Sequence, residues 1–200
     1  MAISVKRKAE VAAWAVLATA IATAPITASA ATADTVINAT VNKVISLSSV
    51  SPVAFSMTPT ASGVVSSASD TVTVSTNSTA GYTLTLMDVD ATTSLQSGGN
   101  NITAHAGTQA SPTALANGTW GYRVVGVGGF GASAYTGETD AGSSTSTWAG
   151  VPANGSANTL KTTAVTASND TTTVWYGAKV TSSQPNGIYT DTVRYTATAN

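Results

Sequence analysis

The chain has no cysteine, a single histidine and few charged residues. Charged side chains make up 8% of its 200 residues, against roughly a quarter in average soluble proteins. The lack of cysteine excludes disulfides, thiolate metal sites and a cysteine nucleophile. The formal net charge of -1 provides no basic surface to neutralise phosphates, so we expect no nucleic-acid partner.

The composition that remains is typical of a β-protein. Hydrophobic residues account for 42% of the chain, much of it Val and Ala, and Thr and Ser are abundant. Such a composition favours pleated, half-buried strands over disorder. Two hundred residues fit one ordinary domain, so we expect one core.

The first thirty residues resemble an export signal in layout. Lys6, Arg7 and Lys8 precede an apolar stretch over residues 11–24, and Ala-Ser-Ala at 28–30 provides a small-residue cleavage site. We therefore predict a signal peptide over residues 1–30 and a protein secreted to the extracellular cell surface. Membrane contact is expected only through this segment, if it is not cleaved.

Period-two alternation predicts strands through most of the remaining chain. It marks residues 53–57, 71–76, 82–87 and 119–125, with a weaker strand near 160–167. The Gly- and Ser-rich stretch over 126–158 predicts a long loop with a short strand near Trp148. The pattern predicts an all-β fold, an antiparallel sandwich of about eight strands.

Two stretches show the longest alternation. Residues 171–200 read as two strands joined by a turn at 184–187, with Thr172 to Val180 on one apolar parity and Tyr189 to Ala199 on another. Residues 34–47 read as one long strand with an apolar parity interrupted by Lys43. That parity comprises Ile37, Ala39, Val41, Ile45 and Leu47.

No motif predicts catalysis or a bound cofactor. Gly126, Gly128 and Gly131 match G-x-G-x-x-G, but the residues after them carry no helical pattern, so a loop is expected instead of a nucleotide site. His105 lies in a polar segment, and the sequence contains no nucleophile elbow of the G-x-S-x-G type. We therefore expect His105 to be a surface loop residue. The sequence therefore predicts a protein that is not an enzyme and has no cofactor.

Acidic and aromatic residues leave two binding hypotheses open. Asp88 and Asp90 follow a strand and are expected to be solvated turn acids, with calcium binding as the alternative, so no metal site is assigned. Trp175 has the polar parity of its strand and is the best candidate for an exposed aromatic. Together with Trp148 it is the candidate glycan contact of a carbohydrate-binding module.

Both ends of the chain carry the pattern of a known family. The segments ADTVINATVNKVISL, AGYTLTL and PNGIYTDTVRYTATAN resemble pilin-like immunoglobulin domains of chaperone-usher fimbriae, especially the Cys-free subunits. They also resemble spore coat protein U domains, and over the whole length the chain looks most similar to secreted Thr-rich surface proteins of small-genome episymbiotic bacteria. The resemblance implies an immunoglobulin-like, pilin-like sandwich that serves at the cell surface.

A tyrosine position refines this expectation. In immunoglobulin-like sandwiches a Tyr near the start of strand F bonds back to the preceding corner, and Tyr189 fits that place. The strand after it would then be strand F without a strand G, which leaves a groove between the sheets. Residues 31–47 would form an N-terminal donor strand, which fills the groove of its own chain or of a neighbour, and residues 48–200 the sandwich.

The expected function is therefore structural or adhesive. We predict a secreted, non-catalytic surface protein, a fibre or surface-layer subunit assembled by β-strand complementation through residues 34–47. Its expected partners are copies of itself in a homopolymer, or a glycan or protein of the host or cell surface. An extracellular carbohydrate-binding module is the alternative.

Overall fold

The computed structural model describes residues 29–200, and within them the chain forms nine β-strands. These are β1 (Ile45–Ser48), β2 (Val64–Thr76), β3 (Tyr82–Asp88), β4 (Leu95–Ser97), β5 (Asn100–Ala104), β6 (Thr119–Val124), β7 (Asn158–Thr162), β8 (Ala167–Val180) and β9 (Val193–Ala199). Contacts divide the chain into two units, Met1–Thr40 and Val41–Asn200, and all nine strands belong to the second. The predicted signal peptide over 1–30 lies almost wholly outside the described residues.

The strands form two sheets of unequal size. One has the order β1-β2-β8-β6-β5-β4, and the other the order β7-β3-β9. The prediction of an all-β fold is confirmed, and the two sheets pack as in a β-sandwich. The prediction of a wholly antiparallel sandwich is wrong at one place, because β5 pairs with β6 in parallel.

The β2–β8 pair is the longest in the structure. It runs antiparallel from Val64 opposite Val180 to Thr76 opposite Ala167, with an irregularity between Val74 and Thr76. The predicted apolar parity of β8 is buried as expected. Its members are Thr172, Val174, Tyr176, Ala178 and Val180.

The facing sheet supplies the other half of the core. Tyr82, Leu84 and Leu86 of β3 are fully buried, as their shared parity predicts. From the large sheet, β6 packs into the same core with Trp120, Tyr122 and Val124. These alternating side chains exclude water between the sheets, which is the main stabilising contribution in a chain without disulfides.

Several strand predictions need correction. Residues 171–200 do not form a hairpin, because β8 belongs to the large sheet and β9 to the small one. The predicted strand over 34–47 exists only as β1, and residues 34–44 have no strand. Residues 53–57 also lack strand pairing, although their burial alternates as predicted. Sequence reasoning missed β4, β5 and the first half of β2.

The long loop over 125–157 covers the outer face of the large sheet. Gly121 and Gly177 lie opposite each other in the β6–β8 ladder. The fully buried Trp148 ring packs against Gly177, and the backbone of Ala149 lies against Gly121. A Cβ on Gly177 would lie 2.6 Å from the Trp148 ring. The absence of a side chain at both positions therefore lets Trp148 and Ala149 of the loop approach the sheet closely.

No helix within residues 29–200 is long and apolar enough to cross a membrane.

We predict that Gly177→Ala destabilises the fold by about 1–3 kcal/mol, because the added methyl group displaces Trp148 from its contact. Gly142→Ala is the matched control, since a Cβ there meets no atom within 4 Å. The free energy of unfolding from urea titration, followed by tryptophan fluorescence, measures both changes. Equal unfolding free energies for the two variants would contradict this packing role.

Candidate functional site: a groove beside strand β9

An open groove of about 450 Å³ lies between the edges of the two sheets. Its walls come from the end of β1 and the residues after it on one side, and from the start of β9 on the other. The lining residues are Leu47, Ser48, Ser49, Val89, Thr192, Val193, Arg194 and Tyr195. The groove thus joins apolar side chains with polar backbone, as a site for an extended peptide requires.

Strand β9 has one unpaired edge within the part of the chain that the structure describes. It pairs only with β3, from Val193 opposite Asp88 to Ala199 opposite Tyr82. Two backbone hydrogen bonds lie just beyond the ladder, from Val89 N–H to Thr192 O and from Asn200 N–H to Gly81 O. They fix which residues of β9 direct their N–H and C=O groups toward β3. Since antiparallel partners bond at every second pair, the alternate residues of β9 direct their N–H and C=O groups away from β3.

Those outward-directed residues also carry the apolar side chains of β9. Val193, Tyr195, Ala197 and Ala199 are half-buried, whereas the corresponding residues of β3 are fully buried. Tyr195 places its hydroxyl 2.7 Å from that of Tyr176 in the core, and burial raises the pKa of both hydroxyls. The sandwich is therefore incompletely covered along β9.

The segment after β1 packs on the core without strand pairing. Val53, Phe55 and Met57 pack against the core. Among the described residues, no backbone group of residues 51–57 makes a hydrogen bond. The segment is held at its ends instead, by Val50 N–H to Asp70 Oδ1 and Thr58 N–H to Asp140 Oδ1. Its alternation matches a strand whose neighbour is not among the described residues.

The predicted donor residues fall into two groups. Ile45 packs against the core from β1, and Leu47 of β1 lines the groove. Ile37, Ala39 and Val41 are exposed, with 87% exposure at Ile37 and 85% at Val41. Ile45 and Leu47 thus already contact their own domain, whereas Ile37, Ala39 and Val41 are exposed.

Hydrogen bonds hold the start of β1 at the turn between β2 and β3. Asn77 donates through Nδ2 to Asn42 O, and its Oδ1 accepts from Val44 N–H. Lys43 Nζ donates to Asn200 O at 2.8 Å. Residues 42–44 are therefore fixed near the end of β9 opposite to the groove lining at Val193.

The predicted tyrosine corner is present. Tyr189 donates its hydroxyl proton to Pro185 O at 2.7 Å and accepts from Gln184 Nε2 at 2.8 Å. Next to it, Thr190 exchanges backbone hydrogen bonds with Gln96 of β4. These contacts fix the crossing from the large sheet to the small one, and they set where β9 begins.

The candidate glycan contacts are less available than predicted. Trp148 is fully buried, so its ring has no surface for a sugar, and the expectation for this residue needs correction. Trp175 is half-buried and makes an edge contact with Tyr135 at 5.0 Å between ring centroids. Trp148 is therefore unavailable for pyranose stacking, whereas the partly exposed Trp175 stays a candidate glycan contact.

The remaining sequence candidates are structural. Gly126, Gly128 and Gly131 have positive φ in a loop that no helix follows in the described residues, as predicted. The prediction of a surface position for His105 is wrong, because it is buried and bonds Thr113 Oγ1 through Nε2 at 2.8 Å. Burial lowers the His105 pKa, so the ring is held neutral.

The acids at the end of β3 have a neighbour that sequence reasoning missed. Asp88 is fully buried, against the expectation of a solvated turn acid, and Asp90 is exposed. Asp191, which immediately precedes the Thr192–Val193 start of the groove wall, lies with both. A separation of about one hundred residues hides such a group from any local pattern.

Comparison of this chain with protein-family models, with curated proteins and with solved structures found no match.

We predict that Tyr189→Phe lowers the free energy of unfolding by about 1 kcal/mol, because both hydrogen bonds of its hydroxyl are lost. Ile188→Ala serves as the control, since that side chain is 84% exposed. Urea titration monitored by circular dichroism checks the difference. A loss as large for Ile188→Ala would show that the hydroxyl has no special role at this corner.

Proposed function

We propose that this protein is a secreted, non-catalytic subunit of a cell-surface fibre or layer, assembled by β-strand complementation. The observation that carries the proposal is the unpaired edge of β9 beside an apolar groove. Exposed strand edges with apolar neighbours pair readily with another chain. In this function the groove is the acceptor, and residues 34–41 of a second copy provide the donor.

The sheet order supports an immunoglobulin-like topology in which no described strand takes the place of strand G. Immunoglobulin constant domains have strands A-B-E-D on one sheet and C-F-G on the other. Here β1-β2-β8-β6 corresponds to the first set, and β3-β9 to strands C and F. The Tyr189 corner before β9 agrees with its assignment as strand F. The groove then occupies the place of strand G.

The exposed segment supports donation between copies. Ile37, Ala39 and Val41 alternate with polar Asn38 and Thr40, so in an extended conformation they would face one side. Each large apolar side chain buried in a partner's groove contributes roughly 1.5–3 kcal/mol. Backbone bonds to Val193, Tyr195, Ala197 and Ala199 would add directional pairing that fixes the register.

Donation between copies also fits how β1 is held. Residues 42–44 are tied to Asn77 and Asn200, at the end of β9 remote from Val193. Entry of the preceding residues into the groove of the same chain would need a reversal immediately before these bonds. A head-to-tail arrangement needs no reversal, and repeated head-to-tail contacts build an open fibre.

We predict that Ile37→Asp and Val41→Asp each weaken self-association on the order of a hundredfold, because each buries a charge in place of an apolar side chain. Val36→Asp is the control on the opposite parity, since Val36 is 83% exposed and would face solvent in the donated strand. Light scattering coupled to size-exclusion chromatography measures assembly, and electron microscopy shows fibres. All three positions are exposed, so monomer stability should not change.

Deletion of residues 31–41 is a second test and should leave a folded monomer that no longer assembles. Assembly that persists after this deletion, or that responds equally to all three aspartate variants, would refute donation by this segment. Tryptophan fluorescence with a panel of cell-wall glycans tests the other class of function. A saturable response in a protein that remains monomeric would favour a carbohydrate-binding module.

A further inference from the structure

Three aspartates converge where β3 ends and β9 begins. Asp88 is the last residue of β3, Asp90 follows two residues later, and Asp191 precedes β9 by two residues. The bond from Val89 N–H to Thr192 O holds the two chain segments together at this point. One carboxylate oxygen from each aspartate lies within 4.8 Å of the other two.

Each carboxylate uses only one oxygen in a hydrogen bond within the described residues. Asp88 Oδ1 accepts from Asp90 N–H at 3.0 Å, Asp90 Oδ1 from Thr92 N–H at 2.6 Å, and Asp191 Oδ1 from Thr192 N–H at 2.7 Å. These bonds orient the carboxylates and leave the second oxygen of each available. The backbone thus fixes three acids in a preset geometry.

Two of the available oxygens are buried without a partner. Oδ2 of Asp88 and Oδ2 of Asp191 have no hydrogen-bond donor in the described part of the chain, and Asp88 has no exposed surface at all. A buried carboxylate oxygen without a partner is costly, and native proteins rarely leave one so. The arrangement therefore requires a donor or a cation that the described residues do not provide.

The charge balance points the same way. Within the described residues, the one salt bridge joins Lys161 and Asp170. No Lys, Arg or His nitrogen of these residues therefore lies within 4.0 Å of a carboxylate oxygen of the three aspartates. Three mutually repelling carboxylates need either a shared proton or a bound cation.

We propose that Asp88, Asp90 and Asp191 bind a calcium ion. Calcium takes six to eight oxygen ligands in flexible geometry, and carboxylates from loops are its usual protein ligands. The buried Asp88 would form the floor of the site, and the exposed side at Asp90 leaves room for water to complete the coordination. Magnesium fits less well, because it requires strict octahedral geometry and usually retains most of its water.

The position gives the ion a structural consequence. Val89 and Thr192 are adjacent to the three ligands and also line the groove beside β9. A bound calcium would join the end of β3 to the start of β9 and neutralise the repulsion between these two segments. It would therefore stabilise the small sheet at the end where the groove opens.

The test is the melting temperature of the full chain with added calcium, compared with the same protein in excess EDTA. We expect a rise of about 5–10 °C when calcium reaches about 100 times its Kd. Asp191→Asn and Asp90→Asn should abolish most of this rise. Asp191→Asn should also keep the calcium-free melting temperature at least as high as that of the unaltered chain, because one of three repelling charges is removed.

Asp34→Asn is the matched control, since Asp34 is exposed and lies outside the cluster. It should respond to calcium as the unaltered chain does. Isothermal titration with calcium chloride gives the stoichiometry, which should be one ion per chain. An unchanged melting temperature together with no binding heat would overturn the proposal. An equal response to magnesium, or a calcium response that survives in Asp191→Asn and Asp90→Asn, would overturn it as well.

Discussion

The fold depends on backbone pairing between β2 and β8. This antiparallel ladder joins strands that are about one hundred residues apart, and both β1 and β6 attach to it. With few charges and no cysteine, the chain has little besides sheet hydrogen bonds and apolar packing to hold it together. The ladder also fixes the side chains of both strands, because register decides which parity meets the core.

The two sheets differ in how completely other parts of the chain cover them. The large sheet packs on the small sheet through one face, and on its other face the loop places Trp148 against Gly177 and Ala149 against Gly121. The small sheet has β3 in the middle, and its edge strand β9 is covered only in part. A pleated edge with unpaired amide and carbonyl groups is a pairing surface, so the least covered strand is also the one most suited to a partner.

Both candidate sites lie along β9. The Tyr189 corner and the aspartate cluster are found where the strand begins, and Asn200 bonds to Gly81 where it ends. The corner orders the approach to the strand, and an ion at Asp191 would order its first residues. Contacts at each end thus keep β9 extended along the groove without occupying its outer edge.

Sequence patterns predicted what is local. Alternation identified the inward residues of β3, β6 and β8, because a strand exposes its two faces at period two whatever it pairs with. The spacing of Tyr189 after a turn predicted the corner, whose hydrogen bonds span only four residues. The lack of cysteine excludes thiolate chemistry, and the absence of a basic excess predicts no nucleic-acid partner.

Only the tertiary structure decided what depends on distant pairing. Residues 171–200 look like a hairpin by pattern, yet β8 and β9 enter different sheets because each finds a better partner in β2 and β3. The alternation in residues 34–41 is as regular as in a strand, but no described strand pairs with them. Asp191 joins Asp88 only through the β3–β9 ladder, and the Trp148 ring is buried against Gly177, where no side chain keeps it from the sheet. Alternation thus determined which residues can face a core, and long-range backbone pairing decided which of them do.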